Sequence, residues 1–263
     1  MESLIIKYRS LGIADVLHYE KFNLISISHH STKIEGSTLT ALETQILLDD
    51  GLTPKGKSVS DTLMVTDHFK ALHFIIDKAR NKTAVTTELI KDINSYVMKS
   101  TGGIYNTILG EIDASKGMFR KRNVTAGSSY FPNYDKVERL TNELVSFIKT
   151  KMNDNLSIDD QLNLSFDVHF NLVSIHPFYD GNGRTSRLLM NYIQAFYGIP
   201  LAIVDSEDKQ DYIQALIDTR EKEDIAIFRN FMKNQYEKYL LQEIKKFEEG
   251  LSSKSNKGFS FLF

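Results

Sequence analysis

Apolar positions recur along most of this chain at the three- and four-residue spacing of a helix face. Thr40-x-x-Glu43 has the form of a capping box, in which a hydroxyl and a carboxylate each satisfy an orphan amide at a helix start. Leu42, Ile46 and Leu47 then share a face, and Gly51 can supply a left-handed stop. A loop is predicted at Thr53-Pro54-Lys55-Gly56-Lys57. A long helix follows, with Met64, His68, Ala71, Leu72, Ile75, Ile76 and Ala79 on its buried stripe. Another starts near Thr86, turns Ile90, Ile93 and Val97 inward and ends at Gly102-Gly103. Val137, Leu140, Leu144 and Ile148 mark a fifth helix, and further ones are predicted at about 184–197, 207–221 and 224–248.

Two stretches depart from this pattern. Leu162, Leu164, Phe166, Val168, Phe170 and Leu172 alternate as a strand would, yet Leu162, Phe166, His169, Phe170 and Val173 fit a helix. An uninterrupted segment of this length favours the helix. Residues 113–134 are turn-rich with short β-prone pieces, which predicts one β-hairpin at about 116–131. The fold class is therefore all-α: a helical bundle with one small hairpin.

Apolar residues at 41% and charged residues at 25% are ordinary for a globular chain and argue against disorder. With 263 residues, one domain with a small appendage is expected. Formal net charge is −2, so no global basic field exists to hold nucleic acid or an anionic membrane. The absence of cysteine removes disulfides, thiolate metal sites and cysteine nucleophiles, and it is compatible with a reducing cytoplasm. The apolar run Leu4-Ile5-Ile6 stops at Lys7, and no apolar stretch approaches the roughly 18–20 residues of a membrane span. A cytoplasmic protein with no membrane or nucleic-acid partner is expected. The end Phe259-Ser260-Phe261-Leu262-Phe263 follows a polar stretch from Ser252 to Gly258, expected to be mobile, and either docks on the body or offers an association site.

The chemistry concentrates in His176-Pro177-Phe178-Tyr179-Asp180-Gly181-Asn182-Gly183-Arg184-Thr185-Ser186-Arg187. Pro177 pushes His176 out of the α region and ends the preceding helix. Gly181-Asn182-Gly183 tolerates positive φ, after which helical periodicity resumes at Leu188. Such a turn opening onto a helix N-terminus makes a nest of backbone amides reinforced by the helix dipole. Cations at a helix N-terminus are unfavourable unless an anion is expected. Arg184 and Arg187, three apart in the first turn, therefore point to polyphosphate. Asp180 can hold Mg²⁺ together with phosphate oxygens and waters, and His176 offers a base near neutral pH. Each residue alone has a bland structural use; the conjunction within twelve residues carries the reading.

This stretch resembles the motif of the Fic (filamentation induced by cAMP) family, His-x-Phe-x-x-Gly-Asn-Gly-Arg-x-x-Arg, at all seven specified positions. Phe119-Arg120 through Val124 to Phe131-Pro132 resembles the family's flap hairpin, and Asp211-Tyr212 through Ala215-Leu216 its downstream nucleotide-pocket segment. Upstream, Ser31-Thr32-Lys33-Ile34-Glu35-Gly36 is similar to the family's inhibitory pattern, Ser/Thr-x-x-x-Glu-Gly/Asn, in the class with an N-terminal inhibitory helix. The resemblance divides the chain into an N-terminal helical region at 1–30, a Fic core at 31–232 and a C-terminal helix and tail at 233–263.

The resemblance implies a protein adenylyltransferase, moving AMP from Mg-ATP to a Ser, Thr or Tyr hydroxyl of a target protein and releasing pyrophosphate. His176 would take the hydroxyl proton. Asp180 would hold Mg²⁺, and Asn182 with the amides of Gly181 and Gly183 would bind the α-phosphate. Arg184 would grip the β-phosphate and Arg187 the γ-phosphate. Thr185 and Ser186 complete the ATP-binding loop, and Phe178 braces it from the core. Val124, Thr125, Ala126 and Gly127 would flank the nucleotide and offer a strand edge to the target, and Tyr212 would line the adenine or ribose pocket. Glu35, with Ser31 and Gly36, would inhibit by pairing with Arg187. Relatives that transfer phosphoryl groups carry Lys at the position of Gly183, so adenylyl transfer is the expected reaction. Removal of AMP from a modified protein and a non-catalytic nucleotide-binding role are the alternatives. Automodification and homo-oligomers fit the same reading.

Overall fold

The structure, a computed structural model, describes residues 1–255 except Leu17, Leu109 and Ser128; the side chains of Ala126 and of residues 250–255 are also outside the description. The chain begins with α1 (Glu2–Ser10), α2 (Tyr19–Ile34), α3 (Ala41–Asp50), α4 (Val59–Arg80) and α5 (Thr87–Val97). Two hairpins follow, β1 (Ile104–Thr107) with β2 (Gly110–Asp113) and β3 (Thr125–Ala126) with β4 (Ser129–Tyr130). Then come α6 (Val137–Met152), α7 (Ile158–Ile175), α8 (Asn182–Tyr197), α9 (Lys209–Lys222) and α10 (Ile225–Ser255).

Helix starts are where side-chain oxygens can cap them. Thr40 and Glu43 make the reciprocal capping box, and Ser58, Thr86 and Ser157 each accept an amide three residues on. Gly51 ends α3 at φ 68°. Helices α7 and α8 form the centre, with α4 across α8. One apolar cluster joins α4, α5, α7 and α8 through Leu72, Ile93, Val168 and Leu189. A second joins α1, α7, α8, α9 and α10 through Ile5, Phe166, Met190, Tyr212 and Phe228. Helix α8 lies between the two, which is why Arg184 through Gln194 are all buried. No helix among the described residues is long and apolar enough to cross a membrane.

The all-α expectation holds, and the ambiguous 162–173 stretch is helical. Three local expectations are corrected. Leu42 lies 65% exposed, and α3 instead buries Thr44 and Leu47. Helix α5 stops at Val97 and leaves a turn before Gly102, where the backbone of Ser115 comes so close that a Cβ would meet its nitrogen at 2.5 Å. There are two hairpins, not one: β3–β4 lies within the predicted span, whereas β1–β2 precedes it. Of β1 and β2 only Ile112 is buried, so those strands carry no apolar alternation to read. The divisions at 30/31 and 232/233 fall inside α2 and α10. Helix α10 continues to Ser255, seven residues past its predicted end and into the polar stretch expected to be mobile, while the apolar end Phe259–Phe263 lies outside the described residues.

Candidate active site

Helix α7 ends on His176, held left-handed at φ 52° and ψ 58° as the residue before Pro177. Its Nδ1 lies 3.3 Å from the Val173 carbonyl, which can only accept. That assigns the ring proton to Nδ1 and leaves Nε2 as the basic nitrogen. Phe131 of the flap stacks on the ring at 3.9 Å. Burial, with Arg120 adding to it, lowers the His176 pKa to about 4, so the ring is neutral at physiological pH.

The loop to α8 is braced from within. Asn182 Oδ1 accepts from the Phe178 amide and Asn182 Nδ2 donates to the Phe178 carbonyl, both at 2.9 Å. Phe178 is buried in the core. Asn94 of α5 donates to the Asp180 carbonyl at 3.0 Å and to the Thr185 hydroxyl at 3.1 Å. Gly181 sits at φ 77°, and a Cβ there would lie 2.8 Å from both Asn94 Nδ2 and Met98 Sδ, so strain and space alike select glycine. The side chains of Asn182 and Thr185 are thus committed to loop shape and the Gly181 amide is taken by Asp180 Oδ1, so the amides of Asn182 and Gly183 at the start of α8 are the ones that remain for a ligand. The Ser186 hydroxyl is buried without a partner.

Arg184 is 2% exposed. Its Nη2 donates to Asp180 Oδ1 at 3.2 Å and approaches Met98 Sδ at 3.3 Å, while its Nε and Nη1 are buried with no hydrogen-bond partner. Unpaired buried donors on a cation are costly and call for an anion. Asp180 is half exposed, with Oδ1 also accepting the Gly181 amide.

Arg187 is buried, and each of its three guanidinium nitrogens is engaged. Its Nε donates to Ser31 Oγ at 2.9 Å, its Nη2 to the Ser31 carbonyl at 3.0 Å and to Glu35 Oε1 at 2.6 Å, and its Nη1 to the Tyr212 hydroxyl at 3.3 Å. Ser31 and Glu35 stand one helical turn apart at the end of α2, which puts both on the same face toward α8. Gly36 then reverses the chain at φ 104°. Burial alone would raise the Glu35 pKa, but Arg187 and then Arg184 hold its carboxyl below the ordinary value. A Cβ built on Gly183 would lie 2.5 Å from Glu35 Oε1. The carboxylate therefore occupies the anion-favouring start of α8.

Glu35, His176, Gly183, Arg187, Tyr212 and Arg220 share the walls of a cavity of about 320 Å³. Its flap side is formed by Ser129 and Phe131. Val124 to Gly127 make the other arm of the hairpin, with Thr125 opposite Tyr130, Ala126 opposite Ser129 and Gly127 in the turn at φ 57°. Arg220 donates to Ser129 at 3.2 Å and so ties α9 to the flap.

Sequence reasoning missed Arg120 as a tether. It is 2% exposed, and its guanidinium donates to the carbonyls of His176 (2.8 Å), Arg122 (3.0 Å) and Pro132 (2.5 Å). It thereby sets the flap against the base. Asn94, Phe131 and His169 were also not legible, because each acts through a partner distant in sequence. Among the described residues no three His, Asp or Glu side chains converge to hold a metal. Mg²⁺ does not need such a cage when phosphates supply the other oxygens; half-exposed Asp180 at the nest fits that use.

Residues 84–194 match the model of the Fic/DOC family. The chain belongs to the Fic/DOC family. It is 30% identical over 213 residues to the protein adenylyltransferase Fic of Drosophila willistoni, covering 81% of this chain and 40% of that protein. The protein of the same name from Aedes aegypti is 30% identical over 198 residues, covering 75% and 37%. The chain spans about two fifths of the length of these curated relatives. A Fic-domain-containing signaling protein from Bacteroides thetaiotaomicron shares the fold with a TM-score of 0.80 at 24% identity, covering 94% of this chain and 97% of that one. Fic-1 from C. elegans does so at 0.74 and 21%, covering 95% and 72%.

Buried histidines make the Fic fold acid-sensitive. His29 and His176 are both lowered from 6.5 to about 4, chiefly by burial, and burial pushes His68 and His169 in the same direction, well below the ordinary imidazole value. In the window between 6.5 and about 4 the unfolded chain binds protons that the folded chain does not, so stability is complete above pH 6.5 and falls as pH drops through the window. Thermal melts at pH 7.5, 6.0 and 5.0 should show a progressive fall in Tm; an unchanged Tm at pH 5.0 would contradict these assignments.

Proposed function

We propose that this chain transfers AMP from Mg-ATP to a hydroxyl of a protein substrate, and that Glu35 restrains the reaction. The observation that carries the reading is Arg184: a buried guanidinium whose Nε and Nη1 have no hydrogen-bond partner among the described residues, at the amide nest of α8, within one turn of the sequestered Arg187 and in contact with Asp180 of the loop that follows His176. Phosphate oxygens are the ligand that would satisfy those donors and the nest together. The relatives named protein adenylyltransferase Fic support nucleotide transfer over other phosphate chemistry.

In this mechanism the amides at Asn182 and Gly183, joined by that of Gly181 when Asp180 gives it up, and the side chain of Arg184 hold the triphosphate, and they stabilise charge as it develops on the reacting phosphoryl group. Bound Mg²⁺, held by Asp180, would neutralise phosphate charge. His176, already neutral and with Nε2 free of the Val173 contact, takes the proton of the attacking hydroxyl. The bond from the α-phosphorus to the bridging oxygen breaks as the new ester forms, and pyrophosphate leaves. The flap, fixed by Arg120, supplies the edge on which the target segment docks.

Glu35 acts by taking the guanidinium that the γ-phosphate would use. With Arg187 held by Glu35 and Ser31, ATP binds without its γ-phosphate anchor, and its α-phosphate is not aligned with the target hydroxyl. Gly183 supports adenylyl over phosphoryl transfer, because without a side chain it leaves the space beside Arg187, 3.2 Å from where a Cβ would sit, to the full triphosphate once Glu35 releases that arginine. The reaction type is tested with the Glu35→Gly protein and ATP labelled at the α- or the γ-phosphate. Incorporation of the α-label alone is expected; incorporation of the γ-label would make the protein a phosphotransferase.

A further inference from the structure

Arg187 has four hydrogen bonds among the described residues, and three of them come from α2, through Ser31 and Glu35. The fourth is to the Tyr212 hydroxyl of α9. When the Glu35 contact is lost, Arg187 keeps Ser31 on α2 and the Tyr212 hydroxyl, and that hydroxyl is the anchor that does not belong to the inhibitory segment. Tyr212 OH is in turn 2.9 Å from His169 Nε2 on α7. The guanidinium can only donate, so the Tyr212 oxygen accepts from it. The phenol proton then goes to His169 Nε2, giving a directed chain from Arg187 through Tyr212 to His169.

That chain requires a neutral His169 with its proton on Nδ1. Nδ1 is buried and has no hydrogen-bond partner, and the ring is wholly inaccessible, stacked on Phe228 at 5.1 Å. An unsatisfied buried polar atom costs stability, and an apolar residue would fill the same space without that cost. The imidazole is therefore kept for what Nε2 does. His169 also lies seven residues before His176, two helical turns along α7, so one rigid helix sets the tether behind Arg187 and the base that faces the cavity.

We propose that His169 and Tyr212 form a positioning relay that, from the side opposite the inhibitory segment, holds Arg187 ready for the terminal phosphate of ATP once Glu35 has released it. The relay does not touch the reacting atoms; it fixes one of two arginines whose spacing reads the length of the phosphate chain. The inference rests on the adenylyl-transfer reading only in taking ATP as the ligand. It predicts discrimination between a triphosphate and a diphosphate, because ADP keeps the groups that meet Arg184 and the α8 amides and lacks the group that meets Arg187.

The test is calorimetric binding of ATP and of ADP, with Mg²⁺, to Glu35→Gly and to the same protein carrying Tyr212→Phe, His169→Leu or His169→Gln. Tyr212→Phe keeps the ring and removes one oxygen, so it serves if His169→Leu fails to fold. Losing one hydrogen bond to a charged group corresponds to roughly tenfold. ATP affinity should fall by about that factor in Tyr212→Phe and His169→Leu, with ADP affinity unchanged. His169→Gln, which restores an acceptor, should recover part of the loss. A parallel fall for ATP and ADP would make the pair merely structural, and no fall for either would show that Arg187 needs no relay; both results overturn the proposal. Normal ATP–ADP discrimination without label transfer to protein would instead sink the adenylyl-transfer reading and leave the relay standing.

Discussion

Glu35→Gly is expected to raise AMP transfer by roughly 10–100-fold, the range that follows from about 1.5–3 kcal/mol for a charge-assisted hydrogen bond gained by the γ-phosphate. The substitution removes the 2.6 Å contact to Arg187 and clears the carboxylate from the face of Gly183. It adds no catalytic group, so any gain comes from freeing what is already present. Breaking a fully buried ion pair costs about 3–5 kcal/mol. Glu35 is 29% exposed and Arg187 keeps Ser31 and Tyr212, so the cost here lies toward the lower end or below it. The folded state should survive with a lower Tm. Arg187→Ala in the Glu35→Gly background should lose the gain, because neither inhibitor nor phosphate then has its partner. The two substitutions are predicted to be strongly non-additive, as expected of groups in one network. Equal contributions in the presence and absence of Glu35 would place the inhibitory contact elsewhere.

His176→Ala in the Glu35→Gly background is expected to reduce transfer by about 10²–10⁴-fold, the usual contribution of a positioned general base. ATP affinity should change little. The histidine lies at the end of α7, while the phosphate-facing groups are on the loop and α8, and the loop keeps its own braces in Asn182, Asn94 and Phe178. Because Phe131 stacks on the ring and Arg120 holds the His176 carbonyl, Ala at this position should loosen the flap without unfolding the site. Calorimetry of ATP binding beside a transfer assay separates the two roles. Loss of binding and transfer together would make His176 a structural residue.

Most of the helical framework was legible because its signals are local. The Thr40–Glu43 capping box announces the start of α3, and the α4 and α5 stripes follow the helix period. The candidate loop was legible because nest, arginines, carboxylate and base lie within twelve residues. What stayed hidden depends on contacts between distant segments. Arg120 reads as one more basic residue until the fold brings His176, Arg122 and Pro132 around it. His169 reads as part of an apolar run until α9 supplies Tyr212. The β1–β2 hairpin left no periodic trace, because its strands are short and mostly exposed; it is held to the loop by Tyr105 stacked on Tyr179 at 4.7 Å. Asn182 was legible as a motif residue, but the sequence could not show that its side chain is engaged with Phe178.

The central claim is restrained AMP transfer, and the most direct measurement is a time course of α-labelled ATP incorporation into protein by wild type and Glu35→Gly with Mg²⁺ and a competent hydroxyl substrate, the enzyme itself included. Near-background labelling by wild type and steady labelling by Glu35→Gly, abolished by His176→Ala, is the predicted result. Equal labelling by wild type and Glu35→Gly would contradict the restraint, and labelling that persists after His176→Ala would contradict the assigned base.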